Sequence, residues 1–174
     1  YSSAASDVYK RQLRDSANQF YDSKFDIAKL SNIKNDAIKS ILSAKLLEAQ
    51  NRGISISVEV EEPISNFRIE LLDFITVLSV LCDNAIEATI KATSPRMTVV
   101  FINNDDSLVL IVENSIKSEK VEVSRIFVRG HSSKGEGRGI GLYNVNSILE
   151  KYPKSTITTR SANHLFSQTI RFCK

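Results

Sequence analysis

Tryptophan is absent from this 174-residue sequence, and cysteine, histidine, proline and glycine are scarce at two, two, three and six residues. Cys82 and Cys173 are far apart and in apolar company, so they read as buried free thiols of a reducing compartment, not as a disulfide framework. Two histidines and two separated cysteines supply too few ligands for a zinc site. A chain of this length buries roughly 70% of the surface its unfolded form exposes, so it needs neither staple. The longest apolar run, Phe74 to Cys82, is less than half of the about 20 residues that a membrane span requires. The opening YSSAASDVYKRQ lacks the apolar stretch of a signal peptide. These features lead us to expect a soluble chain, which can still be a piece of a membrane protein. The net charge is only +3, with acids and bases interleaved. Without a basic stripe or a set of stacking aromatics, no nucleic-acid partner is expected.

The hydrophobic pattern defines a short series of elements. Ile38, Ile41, Leu42 and Leu46 recur at helical intervals until Gly53. Ile54, Ile56, Val58 and Val60 alternate with period two, predicting a half-buried strand that ends at Pro63. Leu71, Phe74, Ile75, Leu78, Leu81 and Cys82 mark one face of a long helix. Strands are expected over Met97–Asn103 and Ser107–Asn114, with a hairpin turn at NNDD between them. A polar stretch over 115–137 precedes a helix from about Gly139 to Lys151 and a closing strand pair. More than 20 residues with little periodicity is unusual inside a compact domain and points to a functional or mobile loop. The order predicts an α+β fold: a two-layer α/β sandwich with a mixed, mostly antiparallel sheet covered by helices on one face. Residues 1–35 would be a head and helical linker, and 36–174 the domain proper.

Four of the six glycines, Gly135, Gly137, Gly139 and Gly141, fall at alternate positions in KGEGRGIGLYNV, directly ahead of a predicted helix. Glycine lets backbone approach a ligand closely. A helix start presents free N–H groups and the positive end of the dipole, a combination that binds phosphate. Lys134 and Arg138 add cations. A Walker A loop is excluded because no Gly-Lys-Ser/Thr is present. A dinucleotide fold is disfavoured because a polar stretch, not a strand, leads into the glycines, and no βαβ unit is read ahead of them. A second motif, LCDNAIEAT (Leu81–Thr89), places Asp83, Asn84 and Glu87 within the long apolar helix. Asp83 and Glu87 share a face. Such oxygens suit Mg²⁺, which takes few protein ligands alongside phosphates and water.

Together these stretches resemble a known family. LCDNAIEAT is similar to the N box, and GRGIGL (Gly137–Leu142) to the G2 box, of the GHKL or Bergerat-fold ATPases, a superfamily that includes the histidine kinases, gyrase B and MutL. IKSILSAKLLEAQNRGISISVEV and FVRGHSSKGEGRGIGLYNV bring the resemblance closest to quorum-sensing peptide-receptor kinases of the AgrC/ComD type. The resemblance implies ATP and Mg²⁺ as ligands. Asn84 would hold the metal that bridges the triphosphate, and Asn84 and Lys134 would be the catalytic pair. Asp83, Glu87, Asn114, Lys134, Gly137, Arg138, Gly139, Ile140, Gly141 and Leu142 would complete the nucleotide site. Phe127 falls at the F box, with Arg129 to Arg138 as the lid. Ile86, Ile111 and Ile140 are expected to line the adenine pocket.

Two departures from the family pattern bear on the reaction. Asn114 stands where most members have the aspartate that accepts from the adenine amino group, so the contact would be uncharged. Val80 stands where hydrolytic members carry a glutamate as general base, and valine cannot activate water. Transfer to another nucleophile is therefore expected. His131 and His164 are the only histidines, and neither lies on a predicted helix beside an acid. The resemblance thus implies the catalytic domain of a sensor histidine kinase in two-component peptide-pheromone signalling, on the cytoplasmic side of a cell-membrane receptor. Its partners would be a histidine-bearing dimerisation domain of the same receptor, a homodimer when full-length, and a downstream response regulator. The alternatives are a nucleotide-binding regulatory module and an anti-sigma-type serine kinase of the same fold.

Overall fold

Asn35 and Gly53 bracket the first helix for local chemical reasons. In the computed structural model, which describes residues 28–124, 126–127 and 140–174, α1 spans Asp36–Asn51. The Asn35 side chain accepts a hydrogen bond from the backbone N–H of Ile38 at 3.1 Å, capping the helix. At the other end Gly53 adopts φ +77°. Its N–H reaches the carbonyl of Gln50, and the N–H of Ile54 reaches that of Ala49. This left-handed reversal favours glycine and satisfies the last carbonyls of the helix. Ile38, Leu42, Leu46 and Ala49 line its buried stripe.

The chain then forms β1 (Ser55–Val60), the long α2 (Leu71–Thr89), β2 (Arg96–Asn103), β3 (Ser107–Ser115), α3 (Gly141–Leu149), β4 (Ser155–Ala162) and β5 (Leu165–Cys173). The strands make one sheet in the order β1-β2-β3-β5-β4. β1 runs parallel to β2, and every other pairing is antiparallel. The expected two-layer architecture is thus the observed one. One reading is corrected: β1, α2 and β2 do form a βαβ unit ahead of the glycines. A parallel pair needs a crossover, and α2 supplies it. The sequence hid this because strand alternation does not encode strand direction.

α2 is the central element of the helical layer. Phe74, Val77, Leu78, Leu81, Cys82, Ala85, Ile86 and Thr89 face inward along its whole length, while Leu71 in its first turn is left exposed. Phe74 is fully buried, with ring centroids 4.7 Å from Phe67, 5.7 Å from Phe172 and 6.5 Å from Phe101. The helices cover the face of β3 carrying Leu108, Leu110, Val112 and Asn114. Leu30 and Ile33, which lie ahead of α1 in the expected linker, are also buried in this core. Ile33 bridges to Ile64, and Lys29 pairs with Glu59 at 2.6 Å. Cys82 is buried as expected, and its thiol is pushed up to about 12, first by burial and then by the adjacent Asp83. Cys173 is exposed, contrary to expectation. The alternation of β5 puts Ile170 and Phe172 inward and Cys173 outward.

A polar clasp ties the start of α2 to the end of α3. The Tyr152 hydroxyl donates to Asp73 Oδ2 at 2.6 Å and accepts from the Glu70 N–H at 3.2 Å. Lys151 adds a 3.3 Å ion pair to Asp73. The Tyr152 bond, followed by Lys151, holds the Asp73 carboxyl below its ordinary value of 3.8, while the phenol is raised above 10 by Asp73. The clasp therefore stabilises the fold fully between about pH 4 and pH 10. It is lost as acid passes the lowered carboxyl value, and again as alkali passes the raised phenol value. Tyr152→Phe is expected to lower unfolding free energy by about 1 kcal/mol near neutral pH. Urea titrations at a series of pH values should show that difference shrinking as the pH falls through the lowered Asp73 carboxyl value. A constant difference would remove Asp73 from the account.

Candidate functional site

The site is built where the first turn of α3 lies against the middle of α2. A Cβ placed on Gly141 would stand 3.0 Å from Val80 Cγ1 and 4.0 Å from Asn84 Nδ2. Even an alanine methyl at this position would be tighter than ordinary contact, and Val80 would have to give by a few tenths of an ångström. The two elements that carry the sequence motifs are brought together here. α3 has no side-chain cap at its N-terminus among the described residues, and Ile140 occupies the cap position. The first intrahelical bond runs from the Asn144 N–H to the Ile140 carbonyl at 2.9 Å. The N–H groups of Gly141 and Leu142 therefore have no partner within the helix, and the positive end of its dipole lies beside the Asn84 amide.

The remaining candidates distribute around this junction. Asp83 is half-exposed, and its carboxylate is held by Lys45 of α1 at 2.5 Å. A bond from Asp83 to a ligand would have to compete with that pair. Glu87, one turn further along α2, is exposed. Asn114, at the end of β3, is 2% exposed and donates from Nδ2 to the Ser115 carbonyl at 2.9 Å. That bond leaves Oδ1 as the atom able to accept from a ligand. Ile140 is 47% exposed, whereas Ile86 is packed in the core. Ile111 does not share a pocket with Asn114. Three residues apart on β3, they point to opposite faces of the sheet, and Ile111 lies on the uncovered face beside Thr158 and Thr169. Phe127 is half-buried. Lys134, Gly137, Arg138 and Gly139, and with them the lid from Arg129 to Arg138 and His131, lie outside the described residues. His164 occupies the β4–β5 turn, where its Nδ1 lies 3.1 Å from the Lys117 carbonyl. The described part of the polar loop is anchored there too, by bonds from the Ile116 N–H to the His164 carbonyl and from the His164 N–H to the Glu119 carbonyl.

The sequence reading missed the lock that holds the two ends of this site together. Thr89, the last residue of the α2 motif, is fully buried, and its hydroxyl lies 2.5 Å from Ser115 Oγ. The Arg96 N–H donates to both hydroxyls, and Ser115 Oγ donates to the Ser94 carbonyl. This network pins the C-terminal end of α2 to the residue next to Asn114. A threonine closing an otherwise apolar helical stripe was the available signal.

The arrangement sets backbone N–H groups that are free within the helix, and so able to hold an anion, beside the Asn84 side-chain amide. Among the described residues no three His, Cys, Asp or Glu side chains cluster to cage a metal ion. A single side-chain amide is the kind of protein ligand that Mg²⁺ takes alongside phosphate oxygens and water.

Comparisons with known proteins bear on this site. The model of the GHKL domain family matches residues 69–173, which include both motifs. The sensor protein CitS of Bacillus subtilis is 29% identical over 125 residues, covering 69% of this chain but only 23% of that protein. The chain thus spans about a quarter of the length of that curated relative. The solved catalytic domain of the histidine kinase ThkA superposes with a TM-score of 0.67 at 19% identity, covering 81% of this chain and 92% of the other. Full-length ShkA in complex with AMPPNP gives a TM-score of 0.63 at 16% identity, covering 95% and 38%. A mycobacterial sensor histidine kinase, MprB, gives 0.60 at 16%, covering 77% and 93%. At these identities the structural matches establish the fold.

The tight seat of Gly141 on Val80 is testable by a coupled pair of substitutions. Gly141→Ala should lower stability by about 1 kcal/mol, because the stiff valine must shift. Val80→Ala in the same chain should recover most of that loss. Additive costs in a double-mutant denaturation cycle would show that α3 does not rest on Val80.

Proposed function

Because the chain belongs to the GHKL domain family, we propose that it is the ATP-binding catalytic domain of a sensor histidine kinase. In this reading it passes the γ-phosphoryl group of MgATP to a histidine on a separate dimerisation domain. The observation that carries the proposal is the close approach of Gly141 to Asn84, which joins an uncapped helix start to an amide on one side of α2. Its likeness to CitS, a sensor protein, and to the histidine kinases ThkA and MprB supports it.

Each residue has a task in this reading. The N–H groups of Gly141 and Leu142 hold phosphate oxygens, with the α3 dipole adding attraction. Asn84 Oδ1 would hold a magnesium ion against the phosphates, and that ion would supply charge neutralisation of the transferred group. Asn114 Oδ1 accepts from the exocyclic amino group of the base. Lys134, Gly137, Arg138, Gly139 and Ile140 would close over the nucleotide from the lid side, and Asp83 and Glu87 would flank the metal. Val80 presents only methyl groups beside this junction. Val80 itself therefore offers water no carboxylate base, which favours transfer of the phosphoryl group to an incoming nucleophile in this reading.

The setting follows from the same reading. Residues 1–35 would connect to the dimerisation helix of a homodimeric receptor, with Leu30 and Ile33 packing the connection onto the domain. No described helix is long and apolar enough to cross a membrane. In this reading the domain sits on the cytoplasmic side of a receptor whose span lies elsewhere. Peptide-pheromone sensing and a response-regulator partner are the finer parts of the proposal, supported by the resemblance of the segments around Lys45 and Gly137.

Two measurements test it. Mixed with MgATP and a fragment bearing the receptor's own dimerisation histidine, the domain should place acid-labile, base-stable phosphate on that fragment. Phosphate on serine, or nucleotide binding with no transfer, would overturn the kinase reading. Asn84→Ala should weaken MgADP binding at least about tenfold by calorimetry. An unchanged affinity would remove Asn84 from the site.

A further inference from the structure

The helix-covered face of the sheet is largely apolar at its centre but carries a polar patch around Asn114. On β3, β5 and β4, the residues Val112, Gln168 and Thr159 stand directly opposite one another in one row. Asn114 stands in the next row, diagonal to Gln168 on the same face. Gln168 is 2% exposed. Its Nε2 and the Oγ1 of Thr159 are both buried without a hydrogen-bond partner among the described residues. The third such atom, Arg68 Nε, belongs to an unrelated loop. In Asn114's row the polar group is satisfied, since Ser161 Oγ accepts from the Val121 N–H at 2.8 Å.

Buried polar atoms left unpaired are destabilising, and chance does not favour two of them facing each other across a strand pair. Both groups can donate a hydrogen bond. Directly opposite side chains have Cβ atoms about 5 Å apart, and diagonal neighbours lie about 7–8 Å apart, a gap a glutamine side chain can span. Gln168 Nε2 can thus reach a ligand that also touches Asn114. Asn114 offers the complementary group: with Nδ2 committed to the Ser115 carbonyl, its Oδ1 is an acceptor. Side by side, an acceptor and a donor match the edge of a purine that carries an amino group next to an unprotonated ring nitrogen. They oppose the edge of guanine, where the same two positions are an oxygen acceptor and an N–H donor.

We infer that Gln168, assisted by Thr159, is a specificity-determining residue that donates to the ring nitrogen N1 of adenine while Asn114 accepts from the neighbouring amino group. This deepens the nucleotide-binding reading above and rests on it. It also accounts for an uncharged Asn114: the second amide supplies directional selection without a carboxylate.

The test compares ADP with 1-deaza-ADP, in which carbon replaces N1, by calorimetry with Mg²⁺ on the full chain. The wild-type protein should prefer ADP by about five- to tenfold, the worth of one hydrogen bond. Gln168→Met keeps the length of the side chain and removes the donor, so it should bind both nucleotides equally and weakly. Its thermal unfolding without nucleotide should be unchanged or higher, because an unpaired group has gone. Thr159→Val, a second variant independent of the first, should bind ADP more weakly. Should both variants keep wild-type affinity and wild-type preference for ADP, the inference is overturned while the nucleotide site stands. Should the wild-type protein bind neither nucleotide, the functional reading fails with it.

Discussion

The seat of Gly141 on α2 is the constraint from which the rest of the site follows. A methyl group there would press on Val80 at 3.0 Å, so the valine would have to give by a few tenths of an ångström. With glycine, the uncapped start of α3 lies beside Asn84. That places two unlike groups at one point: backbone N–H groups with a dipole behind them, and a neutral side-chain amide. The valine is the surface on which α3 rests.

Such a junction is useful only if its geometry is kept, and three separate contacts keep it. Thr89 and Ser115 fasten the end of α2 to β3, one residue from Asn114. The Tyr152–Asp73 clasp fastens the start of α2 to the residues that follow α3. Between them the Phe74 cluster fills the space beneath the helix. The long helix is thus fixed at both ends and along its buried stripe, while its polar residues, Asp83, Asn84 and Glu87, stay on the rim. Rigid positioning of this kind is what phosphoryl transfer asks of a protein, since little covalent chemistry falls to its side chains.

Much of this was legible in the sequence, and the limits have physical causes. Helical and alternating periodicities located the three α-helices and five strands named among the described residues, because burial on one face writes itself into residue order. The pairing of Asn84 with Gly141 followed from two motifs of recognisable chemistry. Direction and face were harder. The parallel β1–β2 pairing was not seen because alternation is blind to direction. Ile111 was assigned to the wrong side of β3 by apolar character without counting parity from Asn114. Cys173 was judged by its apolar neighbours, although it alternates with Phe172 and faces out. Thr89 closing an apolar stripe was a local hint of its lock, but the clasp at Tyr152 and the pairing row of Gln168 depend on residues distant in sequence, which no local pattern encodes.

The central claim is that Asn84 and the start of α3 enclose a metal-bound phosphate together, and paramagnetic broadening tests it most directly. In an amide-resolved spectrum recorded with ADP and Mn²⁺ in place of Mg²⁺, signals of Asn84, Gly141 and Leu142 should be the first to disappear, with Asn114 fading more weakly. Broadening centred elsewhere, on the uncovered face of the sheet for example, with these signals left sharp, would contradict the account.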